Sequence, residues 1–285
     1  MSRRARFGVL GVAGVAVVAV IAVSAALAAG PAASRRRAAN PFEGVNFISA
    51  CKFSHFLTDD PIVYPGQPGK SHDHTFVGNT STDANSTLAS LQAAGTTCQR
   101  PADKAGYWMP SLIVDGQRVQ PLGATIYYRR NTFGRLQAFP PGFKMIAGDS
   151  KATTPQDKRI TFWNCGVLGG APPSDAPPVC PSGRGQELRL HVNFPSCWDG
   201  KSTDSADHKS HMAYPTAGAC PADHPVAVPV ITLIYRYPVS GAHEFALSSG
   251  GVYSAHADFF NAWNQGRLTQ LVNFCLNGLR HCGRL

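Results

Sequence analysis

The chain has 285 residues, 44% hydrophobic and only 15% charged, enough apolar material for one large domain or two small ones. Its 28 glycines and 22 prolines count against a helical bundle and favour a loop-rich, β-rich fold. The net charge is +9, but Arg3, Arg4 and Arg6 sit at the extreme N-terminus and Arg35, Arg36 and Arg37 in a tail. No basic run interleaves with aromatics in the remainder, so nucleic acid is not an expected partner, while an anionic cell-wall polymer is compatible with the charge.

Residues 1–6 are basic, residues 7–29 are unbroken apolar and small, and Ala26-Leu27-Ala28 fits a signal-peptidase site. The apolar run exceeds the ~7–15 residues of an ordinary signal core and reaches the ~20 needed to span a bilayer. Residues 1–29 therefore read as a cleaved signal peptide or as an uncleaved N-terminal membrane anchor. Ser2-Arg3-Arg4 is only a weak twin-arginine start. Residues 30–41 read as a flexible linker, which leaves 42–285 as one secreted or extracytoplasmic domain.

Val45 to Ile48 predicts a first strand, and Asp59 to Gly69 is a run of turn residues that delivers the chain to His72. Residues 83–93 predict a short helix capped by Asp83, Asn85 or Ser86 and stopped at Gly95. Tyr107 to Val114, Ala124 to Arg130, Phe143 to Ala147 and Arg159 to Cys165 are strand candidates separated by Gly and Pro. Residues 166–186 read as a surface loop. In Leu188 to Phe194 apolar residues alternate with Arg189, His191 and Asn193, so the strand has one apolar and one polar face. Val226 to Tyr237 is apolar on both faces and predicts a central strand. Ala257 to Asn264 reads as one or two helical turns, and Leu268, Leu271, Val272 and Cys275 continue at helical spacing to Asn277-Gly278. The sum is a mainly β chain, a β-sandwich or jelly-roll-like single domain with a short C-terminal helical segment.

Eight cysteines behind an export signal predict disulfides rather than metal ligands, since no Cys-x-x-Cys occurs. Short loops close most easily. The expected pairs are therefore sequence neighbours: Cys51–Cys98, Cys165–Cys180, Cys197–Cys220 and Cys275–Cys282. The third would staple the loop that carries His208 and His211.

Four of the ten histidines fall in two short segments, Ser71 to Asn79 and Asp207 to His211. His72 and His74, at i and i+2, point the same way on extended backbone, as metal ligation needs, and Asp73 points the other way. His208 and His211 share a face only in a helical turn; Asp207 can orient one ring, and Lys209 suits an anionic substrate. His256 can complete a site, with Asp258 as the N-cap of the following helix. His191 is a ligand, a base or an exposed residue. Trp198 offers a platform for a sugar ring or packs on its neighbouring disulfide. Asp199, Asp204 and Asp207 supply carboxylates for acid–base work. No nucleophile elbow, phosphate loop or dinucleotide fingerprint is present.

The segments DPIVYPGQPGKSHDHTFVGN, YWMPSL, FPPGFKMIAGD, LRLHVNFPSCWDGKSTDSADHKSHMAYP and HADFFNAWNQGRL resemble a secreted domain family of unknown function. That family occurs in filamentous fungi and actinobacteria and in fungi is sometimes joined to WSC modules. The resemblance runs from about Asn46 to Cys275. It places His72, His74, Trp198, Asp199, His208, His211, His256 and Asp258 inside the family's motif blocks. Fungal members often read His-Val-His at 72–74, which implies that Asp73 is dispensable. The family brings no established reaction, and this chain carries no WSC module.

Residues and resemblance together predict an extracellular protein with a histidine-rich, metal-capable site that acts on or binds polysaccharide or a cell-wall polymer. The expected ligands are His72, His74 and His211, with His208 or His256 as alternates. Zinc or copper is the expected ion, polarising an oxygen or activating water in a polysaccharide-directed hydrolase or lyase. A metal-free enzyme would use His208 as base with Asp199 or Asp207 as partner. Trp198, Lys209, Arg189 and His191 are the candidate substrate contacts. The alternative is a non-catalytic glycan-binding or metal-sequestering module.

Overall fold

The computed structural model describes Gly8, residues 41–166 and residues 172–284. The expected signal or anchor segment and the linker lie, apart from Gly8 and Pro41, outside the described residues. Among the described residues, no helix is long and apolar enough to cross a membrane.

The chain runs through β1 (Asn46–Cys51), β2 (Phe53–Leu57), β3 (His74–Gly78), α1 (Leu88–Ala93), β4 (Gly106–Pro110), β5 (Leu112–Val114), β6 (Gln117–Arg118), β7 (Gly123–Arg129), β8 (Lys144–Gly148) and β9 (Thr161–Cys165). It continues through β10 (Leu188–Asn193), β11 (Cys197–Trp198), β12 (Met212–Ala213), β13 (Val226–Ala227), β14 (Val230–Tyr237), β15 (Phe245–Leu247), β16 (His256–Phe260), α2 (Gln265–Leu271), a π-helical turn (Val272–Asn277) and β17 (His281–Gly283). A six-stranded sheet has the order β17-β1-β7-β14-β10-β9, and a five-stranded sheet the order β2-β3-β4-β16-β8. Two three-stranded sheets, β12-β11-β13 and β15-β5-β6, complete the fold.

Period-2 alternation decides which side chains each large sheet buries. Ile126 and Tyr128 of β7, Leu233 and Tyr235 of β14, and Leu190 and Val192 of β10 share one core with Val77 of β3, Tyr107 of β4, Met145 of β8 and Phe259 of β16. The two large sheets therefore face each other across that core, as a sandwich does. Polar side chains inside it are paired between sheets: the Tyr107 and Tyr128 hydroxyls meet at 2.6 Å, and the Tyr235 hydroxyl donates to the Thr75 carbonyl at 2.7 Å. The fold is mainly β with a short C-terminal helical segment. Of the expected strand Val226–Tyr237, Val230–Tyr237 is the central strand between β7 and β10, whereas Val226–Ala227 pairs with β11 in a separate sheet.

All four expected disulfides form between sequence neighbours, which points to an extracellular or otherwise oxidising compartment. Two local expectations are corrected. Helix α1 begins at Leu88 under a Thr87 cap that accepts from the Ser90 amide. Asp83 and Ser86 are already spent in the preceding turn, where Asp83 accepts from the Asn85 amide and the Ser86 hydroxyl. The predicted helical turns at 257–264 are instead led by strand β16, which pairs with β4 and β8 inside the five-stranded sheet. Ala257 and Phe259 enter the main core, whereas His256, Asp258 and Phe260 turn to the outer face. That is a strand's alternation, and apolar burial on both sides hid it among helical spacings.

Candidate functional site

The outer face of the five-stranded sheet carries a second, smaller apolar cluster of Ile62, Phe76, Leu91, Trp108, Phe260 and Ala262. Beside it lie the residues that the sheet register gathers. Asp258 stands opposite Trp108, and Trp108 opposite Phe76. His74 stands opposite Pro110, and the Asp258–Trp108 register carried two residues along puts His256 on the other flank of Pro110. Proline projects no polar group into that row, so the two imidazoles approach each other, with ring centroids 5.8 Å apart. His72, two residues before His74, brings its ring within 4.2 Å of His74 and 5.0 Å of His256. On the opposite edge His256 faces Gly148, where φ is +84° and a Cβ would lie 2.5 Å from the Ala255 carbonyl oxygen. Glycine is needed there for strand β8 to sit against His256.

Hydrogen bonding sets the tautomers. His74 Nδ1 lies 2.9 Å from the Asp59 carbonyl, and His256 Nδ1 lies 2.9 Å from the Ser254 carbonyl. A carbonyl can only accept, so each Nδ1 carries the hydrogen and each Nε2 keeps its lone pair. This is the orientation that metal-ligating histidines adopt. The Nε2 atoms of His72 and His74 are buried with no partner among the described residues. Burial drives all three imidazoles toward the neutral form: His74 falls well below its ordinary value, with His72 and His256 adding repulsion. His256 falls to about 3, and His72 is lowered as well. One ligand atom from each of the three lies within 4.8 Å of the others. Tetrahedral zinc with bonds of about 2.0–2.1 Å needs separations of roughly 3.4 Å, so only a small closure of the rings is required.

Two carboxylates adjoin the imidazoles. Asp60, His74 and Asp258 form a second group with ligand atoms within 4.8 Å of one another. Asp60 Oδ1 accepts from the Ile62 and Val63 amides at 2.8 and 2.9 Å, and burial raises its pKa. Asp258 is fully buried and neither of its oxygens has a partner among the described residues. Burial, then the charge of Asp60, pushes it well above the ordinary carboxylate range. A buried carboxylate without donors is costly unless it is protonated or faces a cation. His74 has one free nitrogen, so the two overlapping groups share a single position for an ion rather than two.

Asp60, His72, His256 and Asp258 floor an open pocket of about 410 Å3, lined also by Tyr64, Asp207, His208 and Lys209, with His74 buried behind them. The two histidine segments thus meet at one site, approaching from different sides. His208 has a left-handed backbone (φ +58°), not a helical turn, and its Nδ1 is 2.7 Å from Asp204 Oδ1. Asp204 also faces the Lys144 ammonium at 3.6 Å. Lys209 Nζ donates to the Gly148 carbonyl at 2.7 Å, beside His256.

Other expected participants lie elsewhere or are already engaged. His211 is buried, with Nδ1 2.8 Å from the Ser205 hydroxyl and Nε2 2.8 Å from the Lys144 carbonyl; both ring nitrogens are used, and His256 occupies the third place beside His72 and His74. Asp207 lines the pocket, but its Oδ1 accepts from Ser205, Lys209 and Ser210, which holds it far below the usual carboxylate range. Asp199 caps a turn through the Lys201 and Ser202 amides. Trp198 is packed edge-on to Phe143 at 5.8 Å, with its indole donating to the Ser202 carbonyl, so its ring is not a sugar platform. Arg189 and His191 lie on the outer face of the other large sheet, where Arg189 pairs with Glu187 at 3.3 Å. His191 is stacked on Phe162 and bound to Asn164, and burial, then Arg189 and Arg129, lowers it to about 3. Asp73 points away and pairs with Arg118 at 2.8 Å, as the i, i+2 spacing predicts.

Two carboxylates of the site carry no local sequence signal of that role. Asp60 is hidden in a turn-rich run, with no signal to separate it from its neighbours. Asp258, expected as a helix cap, lies in a five-residue strand buried on both faces, where the sequence shows no clear period.

No curated protein and no solved structure matches the chain. Residues 60–263 match the family described as Domain of unknown function (DUF1996), a span that opens on Asp60 and contains His72, His74, His208, His256 and Asp258, and the chain belongs to that family.

Proposed function

We propose that this protein is an extracytoplasmic metalloenzyme that cleaves polysaccharide, with one ion held by His72, His74 and His256 and backed by Asp258. The observation that supports this most directly is the convergence of three neutral imidazoles, two of them with Nδ1 tied to a carbonyl so that Nε2 keeps its lone pair. The orphaned oxygens of Asp258 fit the same reading, because a cation is what such a group lacks. Imidazole nitrogen with a nearby carboxylate suits zinc first and copper second. Such an ion would supply Lewis acidity toward a substrate oxygen or water.

Around it, the chain's own groups have defined tasks. Asp204 orients His208 through Nδ1, which frees Nε2 as the acid–base group of the pocket. The Lys209 ammonium at the rim attracts an anionic or hydroxyl-rich substrate. Asp207, His208 and Lys209 line the pocket beside the imidazoles, polar groups that suit a hydroxyl-rich substrate. A non-catalytic glycan module built on Trp198 has no support, since that ring is buried.

Metal content of the purified protein, measured by mass spectrometry beside a His72→Ala/His256→Ala variant, tests the reading. About one zinc or copper per chain, lost in the variant, is expected, and turnover of polysaccharides should then require that metal and fall in His208→Gln. No metal after loading would overturn the site. Metal without turnover on any glycan would leave sequestration as the function.

A further inference from the structure

A second pocket, of about 450 Å3, opens on the outer face of the six-stranded sheet, the face turned away from His72, His74 and His256. Strand β7 sends Ile126 and Tyr128 into the core, so Tyr127 and Arg129 project outward. There the Arg129 guanidinium lies over the Tyr127 ring, 4.2 Å from its centroid. Stacking occupies the flat face of a guanidinium; part of the N–H edge bonds the Tyr127 hydroxyl, and the rest of the fork is left for a planar two-oxygen acceptor. Arg129 makes no ion pair among the described residues. Asp157, the one carboxylate lining the pocket, is already held by Arg159, whose Nε and Nη2 donate to Oδ2 at 2.8 and 2.5 Å. Arg130 does not add to this charge: its guanidinium turns to the Phe133, Gly134 and Leu276 carbonyls and to Asn277, none of which lines the pocket. With Asp157 neutralised by Arg159, Arg129 is the uncompensated charge that lines the pocket.

Its wall is aromatic. Tyr214 is 39% exposed, and its hydroxyl donates to the Asn193 carbonyl at 2.9 Å, which fixes the ring. Asn193 is held in turn by the Thr232 hydroxyl and the Arg159 carbonyl, so the wall is rigid before any ligand arrives. A fixed aromatic face beside an available guanidinium matches a sugar ring that bears a carboxylate.

We propose that this pocket binds an acidic saccharide, a uronic-acid unit whose carboxylate meets Arg129 and whose ring lies against Tyr214. The site requires no metal and stands independently of the histidine centre; its role is to hold a polymer while the other face of the domain is free to act.

Titration calorimetry of the full chain with a galacturonic-acid trimer, and with the neutral galactose trimer, tests the assignment. The acidic trimer is expected to bind, more weakly as salt rises, and at least tenfold more weakly to Arg129→Gln and to Tyr214→Ala. Added to the His72→Ala/His256→Ala variant, Arg129→Gln should cause the same loss of trimer binding as it does in the parent. Should Arg129→Gln fail to fold, Arg129→Lys keeps the charge without the fork and should show the same loss. No binding by the parent protein, equal binding of the neutral trimer, or unchanged affinity in both folded arginine variants would overturn the proposal. Inorganic sulfate binding as tightly as the trimer would overturn the saccharide assignment in favour of a plain anion site.

Discussion

Asp258→Asn keeps the shape of a fully buried side chain and removes its charge, which separates two explanations for a carboxylate with no hydrogen-bond donor beside His74 and Asp60. With a cation role, the variant loses metal affinity while the metal-free fold, relieved of an unpaired carboxylate, is no less stable. A ligand at a hundred times its dissociation constant stabilises by about 2.7 kcal/mol. For a folded unit of this size each kcal/mol is worth about 2–4 °C, so that excess of zinc should raise the parent's midpoint by roughly 5–11 °C. Loss of a supporting carboxylate costs about ten- to hundredfold in affinity. At the same zinc concentration the stabilisation then falls to about 0.4–1.4 kcal/mol, a rise of roughly 1–6 °C. Thermal melts of EDTA-stripped protein, with and without added zinc, read both quantities. An equal zinc-induced rise in parent and variant, or a metal-free variant several degrees less stable than the parent, would refute the reasoning.

Three further outcomes follow from the geometry. His211→Gln should keep the full complement of metal, since both ring nitrogens are engaged by Ser205 and Lys144, yet lose about 1–3 kcal/mol of stability; metal loss in a folded variant would contradict the placement of His256 as third ligand. Asp103 is fully buried and raised from 3.8 to about 7, chiefly by burial, so the folded state keeps a proton that the unfolded chain gives up between about pH 4 and 7. Its stabilising contribution is full below about pH 4 and is lost as the pH rises to about 7, by at most ~1.4 kcal/mol per pH unit. Urea melts of the parent and Asp103→Asn should therefore converge or cross over that window and run parallel above it, and a constant difference from pH 4 to 7 would sink the assignment. Replacing Cys197 and Cys220 together by alanine frees a loop of sequence separation 23 and should cost about 3 kcal/mol, with a weaker metal-dependent rise because His208 and Lys209 ride on that loop; an unchanged denaturation midpoint would show that the staple is idle.

Much of the fold was legible in the sequence because it is written in local pattern. Leu188 to Asn193 alternates strictly, Val230 to Tyr237 is apolar on both faces, and the cysteines pair with their sequence neighbours because short loops close at low entropic cost. The convergence of His72 with His74 was equally local, a consequence of extended backbone at i and i+2. The assignment failed at His256 to Phe260, where both faces of the strand are buried and a five-residue run of that kind carries no clear period.

Sequence by itself determined a disulfide-bonded, mainly β domain and the two segments where its histidines gather. Tertiary structure alone decided which of them meet. Register across β3, β4 and β16 puts His256 beside His74 with Pro110 between them, and it brings Asp258 and Asp60 to the same place from positions 198 residues apart in number. It also sends the polar face of β10, with Arg189 and His191, to the opposite side of the sandwich, because a strand's two faces diverge and only the sheet that it joins decides where each one points.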